Sequence, residues 1–282
     1  MPVAGKQPGR LISEEQGFVM RTFLGFCLFA MAAIFFTTSD VQAARVTPMA
    51  IQISPTGRNS IARIEVTNSE DRLLPVEIRM YRGIVSETGE LEMVPADDKF
   101  VVFPPQITVQ PRSQQAFRIQ YLADGPMERS EIYYASVTQL PVDLEPGESR
   151  IQVLMRFNVL VEVVPEDSRS AASVSWSRWA EREYEVPVDD TVPEEERVMR
   201  RETVAGIEFR VQNDGTRSYP AGRNGLVVAG TAADGSAVSR TLTAEQVAEV
   251  VGLGLVPAGG ARIFFLPFES RLQDSSLSVT LN

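Results

Sequence analysis

The stretch Ile151–Val164 reads IQVLMRFNVLVEVV and is the most informative part of the sequence for both fold and function. Apolar side chains occupy every second position: Ile151, Val153, Met155, Phe157, Val159, Val161 and Val163. Most positions between them are polar, with Leu154 and Leu160 as the main exceptions. Because successive side chains of a β-strand point to opposite faces, this alternation predicts a strand with one apolar and one mostly polar face.

The predicted strand is much longer than an ordinary one. Its fourteen residues would extend about 46 Å at about 3.3 Å each, whereas most strands contain about five or six residues. One interpretation is a last core strand that runs on into a linker. The other is a strand whose edge is kept for another chain, because a long unpaired edge aggregates unless something pairs with it. Strand addition supplies main-chain hydrogen bonds and pockets for alternate side chains.

The chain around this stretch, from Ala44 to Pro165, favours an all-β fold. Short alternating or aliphatic runs are separated by turn signals such as Ser54–Gly57 and Asn68–Asp71, and a helical period is almost absent. About seven such runs in about 120 residues match the size of an immunoglobulin-type sandwich. The polar, turn-rich stretch Pro165–Ser170 marks its end. We therefore assign residues 44–165 to an N-terminal Ig-like domain.

The remaining residues, 166–282, repeat this pattern weakly. Ile207–Gly215 resembles Ile64–Asn68 and the turn after it, and Pro257–Phe265 resembles Pro111–Ile119. Two explanations of these similarities stay open: internal duplication of one domain, and chance similarity between two β-domains. The sequence therefore predicts a second, C-terminal Ig-like β-sandwich over residues 166–282.

The first 43 residues are predicted to be an N-terminal extension and a cleaved signal peptide. Phe23–Phe36 is an unbroken apolar run, too short to span a bilayer but typical of a signal-peptide core, and Arg21 supplies the preceding positive charge. The small-residue pattern before Ala44 predicts cleavage after Ala43. Translation starts at Met1 or at Met20, which directly precedes the signal-like unit.

Composition excludes several functional classes. The chain of 282 residues has a formal net charge of −10 and no histidine, which argues against nucleic-acid binding, imidazole catalysis and histidine-ligated metals. It contains no Gly-x-Ser-x-Gly motif and no phosphate-binding loop. We therefore expect a protein that is not an enzyme and needs no cofactor or metal.

Taken in order along the chain, several motifs resemble the periplasmic pilus (fimbrial) assembly chaperones of chaperone–usher systems. Glu131–Pro141 resembles the strand of that family that ends in proline just before its donor strand, and Ile151–Val164 resembles the donor strand itself. Phe103–Pro105 and Val109–Arg112 resemble the central turn and the Pro-led strand after it. Leu74–Pro75 resembles an early Leu-Pro of the family.

The resemblance implies a periplasmic chaperone that completes an unfinished pilus subunit by lending it a strand and delivers it to an outer-membrane usher. Alternate apolar side chains of the donor strand would fill pockets of the subunit. By the alternation, these donor residues are Ile151, Val153, Met155, Phe157 and Val159. The same apolar edge also predicts self-association of the free protein.

One feature departs from the family pattern. The family anchors the carboxylate of the subunit's C-terminus with an arginine on the first strand and a lysine on the donor strand. Here Leu160 stands at the expected lysine position and Met49–Ala50 stands about where the arginine should be. Arg156 lies on the same predicted face as Leu160 and could bind a carboxylate bidentately. The sequence favours the other interpretation, an ordinary surface arginine.

An alternative of a different class is an exported two-module Ig-like adhesin or carbohydrate-binding protein. Sugar binding would require exposed aromatic side chains, and the only tryptophans are Trp176 and Trp179. Their spacing is also compatible with positions in the core of the second domain.

Overall fold

The computed structural model describes residues 44–141, 153–188, 191–192 and 197–282. The predicted signal segment, its cleavage site and Ile151 lie outside these residues. Regular structure in the described part is almost entirely β-strand, and no helix there is long and apolar enough to cross a membrane.

Ten strands form two facing sheets, which we call the first sandwich. The strands are β1 (Arg45–Thr47), β2 (Ala50–Ile53), β3 (Ile61–Asn68), β4 (Leu74–Val85), β5 (Leu91–Pro95), β6 (Phe100–Phe103), β7 (Gln106–Val109), β8 (Ser113–Tyr121), β9 (Glu131–Gln139) and β10 (Arg156–Val163). One sheet has the order β1-β3-β8-β6, and the other has the order β2-β10-β9-β4-β5 with β7 also paired to β4. Buried alternate residues of both sheets, such as Ile64, Phe117 and Val161, form its core.

The later strands form the second sandwich, with its own core around Ile207, Phe209 and Val228. The elements are β11 (Ala172–Pro187), β12 (Met199–Asn213), β13 (Tyr219–Pro220), β14 (Leu226–Thr231), β15 (Ala237–Leu242), α1 (Ala244–Val251), β16 (Leu255–Val256), β17 (Ala261–Pro267) and β18 (Ser278–Leu281). The sheets have the orders β11-β12-β17 and β15-β14-β18, and β13 pairs with β16. The all-β class with two Ig-like sandwiches is confirmed, whereas the domain limits read from the sequence stay predictions.

The two similar segments noted in the sequence each include a buried asparagine at the end of a strand, Asn68 in the first sandwich and Asn213 in the second. Asn68 ends β3, and its amide donates to the carbonyls of Arg72 at 2.7 Å and Gln110 at 3.1 Å. Asn213 ends β12, and its amide donates to the carbonyls of Arg217 at 2.8 Å and Pro257 at 3.2 Å. In each sandwich the side chain therefore joins the turn after one strand to the segment that leads into another.

Candidate functional site

Strand β10 is shorter than the sequence predicts. It begins at Arg156, and its pairing with β9 starts at the Arg156–Thr138 pair. One more backbone bond follows, from the Gln139 amide to the Met155 carbonyl at 2.9 Å. Because β9 ends there, the only further hydrogen bond of these residues with β9 in the described part of the chain is from the Met155 amide to the side-chain oxygen of Gln139 at 3.5 Å, and Val153–Met155 are not strand. The predicted continuous strand over Ile151–Val164 is therefore wrong at Val153–Met155, where the alternation continues but the pairing stops.

The second backbone edge of β10 is only partly covered. Strand β2 pairs with β10 in parallel, from the Leu160–Ala50 pair to the Val163–Ile53 pair. No other strand of the described residues pairs with the β2-side edge of residues 156–159. The N-terminal half of β10 therefore presents main-chain groups on one side, next to the apolar row of the same strand.

We call the alternate apolar side chains of Val153, Met155, Phe157 and Val159 the apolar row. It passes from solvent into the core of the first sandwich. Val153 is 76% exposed, Met155 and Phe157 are half-buried, and Val159 is fully buried. Met155 and Phe157 border a small apolar cavity at the end of the first sandwich together with Val46. The complete burial of Val159 in its own core removes it from the side chains available to another chain, contrary to the set derived from the resemblance.

Arg156 and Leu160 lie on the opposite face of β10. Arg156 is exposed, and none of the ion pairs formed among the described residues involves it. Leu160 lies opposite Ala50 and borders a cleft of about 120 Å³ next to the second sandwich. Polar groups of Gln52, Glu162 and Arg223 line the cleft beside apolar side chains, and among the described residues that border it the arginine is Arg223, which precedes β14. Arg223 could not be predicted from the sequence, because it lies sixty residues beyond the end of β10.

Glu162 joins β10 to the second sandwich. The Ser218 hydroxyl donates a hydrogen bond to its carboxylate, and burial raises the pKa of the Glu162 carboxyl above its usual 4.5, although Arg217 and Arg223 act in the opposite direction. The Ser218 amide also donates to the Ser130 hydroxyl at 2.9 Å. These contacts hold the second sandwich against the C-terminal half of β10.

The raised pKa of Glu162 predicts a pH-dependent stability. The folded state binds this proton more tightly than the unfolded state, so the contribution is present below about pH 4.5 and is lost as pH rises through the folded pKa. We expect E162Q to raise Tm by a few degrees at pH 7 and to leave it unchanged at pH 4. Thermal unfolding of both proteins between pH 4 and pH 8 checks this, and equal Tm differences at both ends would contradict it.

A second set of contacts ties the β4–β5 turn to the second sandwich. Arg210 on β12 forms an ion pair with Glu87 at 2.8 Å, and the Ile263 amide donates to the Glu87 carbonyl at 2.7 Å. The neighbouring Arg210 guanidinium lowers the pKa of the Glu87 carboxyl.

The two tryptophans of β11 are partly covered by neighbouring residues. Trp179 is half-buried and packs against the second core. Trp176 is also half-buried and carries the Arg178 guanidinium 5.2 Å from its ring centroid. Each indole therefore has part of its surface covered by the second sandwich.

Comparisons with solved structures give several similar chains of low sequence identity. A chain of a chaperone–tip adhesin complex of CFA/I fimbriae is 11% identical with a TM-score of 0.49, and 85% of this chain and 98% of that chain are covered. The class 5 fimbriae chaperone CfaA is 10% identical with a TM-score of 0.49 and the same coverage. A chain of the Salmonella enterica complex of SafA pilin with SafB chaperone is 13% identical with a TM-score of 0.47, covering 87% and 98%.

Comparison with curated proteins finds no match. The family model of the N-terminal domain of pili and flagellar-assembly chaperones matches residues 46–168, which are the first sandwich and the start of the following segment. This part of the chain is therefore similar to the N-terminal domain of pili and flagellar-assembly chaperones.

Proposed function

We propose that this protein is a periplasmic chaperone that binds pilus or fimbrial subunits by lending them the N-terminal part of β10 and the residues just before it. In this proposal it is exported by a signal peptide cleaved after Ala43, and it delivers its subunits to an outer-membrane usher. The observation that supports it best is the apolar row Val153, Met155 and Phe157 beside a backbone edge that no strand of the described residues covers. Ile151, which lies outside the described residues, continues the row in the sequence.

This arrangement supplies what strand addition needs. Unpaired main-chain groups can bond to a partner strand, and alternate apolar side chains can enter its pockets. Burying each such side chain stabilises a complex by about 1.5–3 kcal/mol before ordering costs. Neither a nucleotide nor covalent chemistry is required.

The test is co-expression of the mature chain with exported β-subunits encoded beside its gene, followed by tagged purification and intact mass measurement. We expect a stable 1:1 complex. A soluble monomer that retains none of these subunits would contradict the proposal and would direct attention to glycan binding.

The anchor for the end of the subunit can be tested by comparing two arginines. Arg156 is the candidate from the sequence, and Arg223 borders the cleft at Leu160 and Ala50. If a subunit carboxylate is held by the guanidinium of Arg156, R156A should weaken subunit binding about tenfold or more, because a charge-assisted bond contributes about 1.5–3 kcal/mol.

R223A provides the matched change at the cleft. Subunits with a free or an amidated C-terminus separate loss of a carboxylate contact from a general loss of packing. If only R223A removes the preference for the free carboxylate, the cleft is the anchor and the assignment of Arg156 is wrong. Titration calorimetry with both subunit forms measures the preference directly.

The uncovered backbone edge of β10 also leads us to expect self-association of the free protein. We expect dimers at high concentration that dissociate when a subunit binds, because both events would use Val153–Phe157. Sedimentation velocity with and without subunit measures this, and a dimer that keeps its stability in the presence of bound subunit would contradict it.

A further inference from the structure

The second sandwich carries a two-stranded ribbon that extends past its third strand. Strands β11 and β12 pair as far as the Pro187–Met199 pair, whereas β17 pairs with β12 only from Gly206 to Gln212. We call residues 181–187 and 199–205 the ribbon. Its seven residue pairs extend about 23 Å at about 3.3 Å per residue.

The outer edge of this ribbon is open along its length. Strand β11 is the outermost strand of its sheet, and within the described part of the chain no strand pairs with its outer side. A two-stranded ribbon is marginally stable alone, and an open edge of unpaired main-chain groups readily accepts another strand.

The two faces of the ribbon differ in chemistry. Residues directly opposite each other in an antiparallel pair share a face. One face carries Glu181, Glu183 and Glu185 in a row, with a single arginine, Arg201, whose guanidinium lies 3.8 Å from Glu183. The row of three carboxylates therefore has an excess of negative charge.

On the opposite face β11 carries two apolar side chains toward its tip, beside Glu202 and Arg200 of β12, which form an ion pair with each other at 3.3 Å. Tyr184 is 41% exposed there, and Val186 follows it on the same face. Arg182 on this face is already engaged, since its guanidinium contacts Glu208 at 2.9 Å and lies 4.8 Å from the ring centroid of Phe265.

We infer that the outer edge of the ribbon binds an extended segment of a partner protein in which basic residues alternate with apolar ones. A strand added to β11 places alternate side chains beside those of β11 on each face. Its basic residues would lie beside Glu181, Glu183 and Glu185, and its apolar residues beside Tyr184 and Val186. This site is separate from β10 and does not depend on subunit binding.

The test uses fluorescein-labelled seven-residue peptides and the mature chain. An alternating Lys-Val peptide is expected to bind, with its affinity falling at least tenfold between 50 and 300 mM NaCl as the charges are screened. A block peptide of the same composition, with all lysines followed by all valines, keeps the charge but loses the alternation and should bind at least tenfold more weakly.

Matched variants locate the site. E181Q/E183Q/E185Q should weaken binding of the alternating peptide at least tenfold. E65Q/E92Q/E128Q removes three exposed glutamates of the first sandwich, the same change in charge, and should alter it less than twofold. Equal effects of the two variants, equal binding of the two peptides, or no binding would overturn the inference.

Hydrogen exchange identifies the bound edge without relying on a variant. The alternating peptide should slow amide exchange in residues 181–187 while leaving residues 156–159 of β10 unchanged. Protection confined to β10 would overturn the inference and assign the peptide to the subunit-binding edge.

Discussion

Replacing Met155 and Phe157 together by aspartate should abolish subunit capture, with Kd rising at least a hundredfold. Two apolar side chains that fill subunit pockets contribute about 3–6 kcal/mol together, which corresponds to roughly 10²–10⁴ in Kd. Two carboxylates would in addition have to be buried without partners. Titration of the double variant with a purified subunit measures the loss.

The control for this prediction addresses folding. Phe157 also packs against the core of the first sandwich, so the double variant can lose stability as well as binding. Val153 is 76% exposed, and V153D should weaken capture about tenfold or more without a change in Tm. V101D makes the same substitution at an exposed valine of β6, in the other sheet of the first sandwich, and should leave capture unchanged. Equal capture by V153D and the wild type would contradict the donor-strand assignment.

Replacing Asn213 by alanine should strongly destabilise the second sandwich. Its side chain is fully buried, and besides donating to carbonyls it accepts from the amides of Ala171 at 3.0 Å and Gly215 at 3.1 Å. Each buried group that loses its partner costs about 1–3 kcal/mol. We therefore expect a loss of about 3–5 kcal/mol in the free energy of unfolding, or about 2 M in the urea midpoint at a slope of about 2 kcal/mol/M.

Tryptophan fluorescence follows this transition, because Trp176 and Trp179 both lie in β11 of the second sandwich. N282A is the matched control, since Asn282 is an exposed asparagine of the same sandwich, and its midpoint should stay within about 0.3 M of the wild type. An N213A midpoint equal to that of N282A would show that water replaces the lost bonds.

The two asparagines illustrate what a repeated pattern can and cannot reveal. The echo between Ile64–Asn68 and Ile207–Asn213 is readable in the sequence because both strands end at the same kind of turn. The role of each asparagine cannot be predicted from the sequence, because its side-chain amide donates to a carbonyl more than forty residues away. Those partners meet only when the strands are assembled.

The ribbon shows the opposite case, in which a long strand gave no signal. The segment Glu181–Glu185 alternates three glutamates with Arg182 and Tyr184. It therefore lacks the row of alternate apolar residues by which the other strands are predicted from the sequence. Its strand conformation depends on cross-strand pairing with β12 rather than on burial of one face.

The fold class and the apolar row of β10 can be predicted from the residues alone, because an alternation with a period of two depends only on the geometry of a strand. Val159, Val161 and Val163 are buried as that alternation predicts. The point at which the row leaves its own core cannot be predicted in this way. That point depends on the end of β9 at Gln139 and on β2 covering β10 from Leu160 onward. Exposure of Val153 and burial of Val159 follow from these partners, which are distant in the chain, and not from the residues themselves.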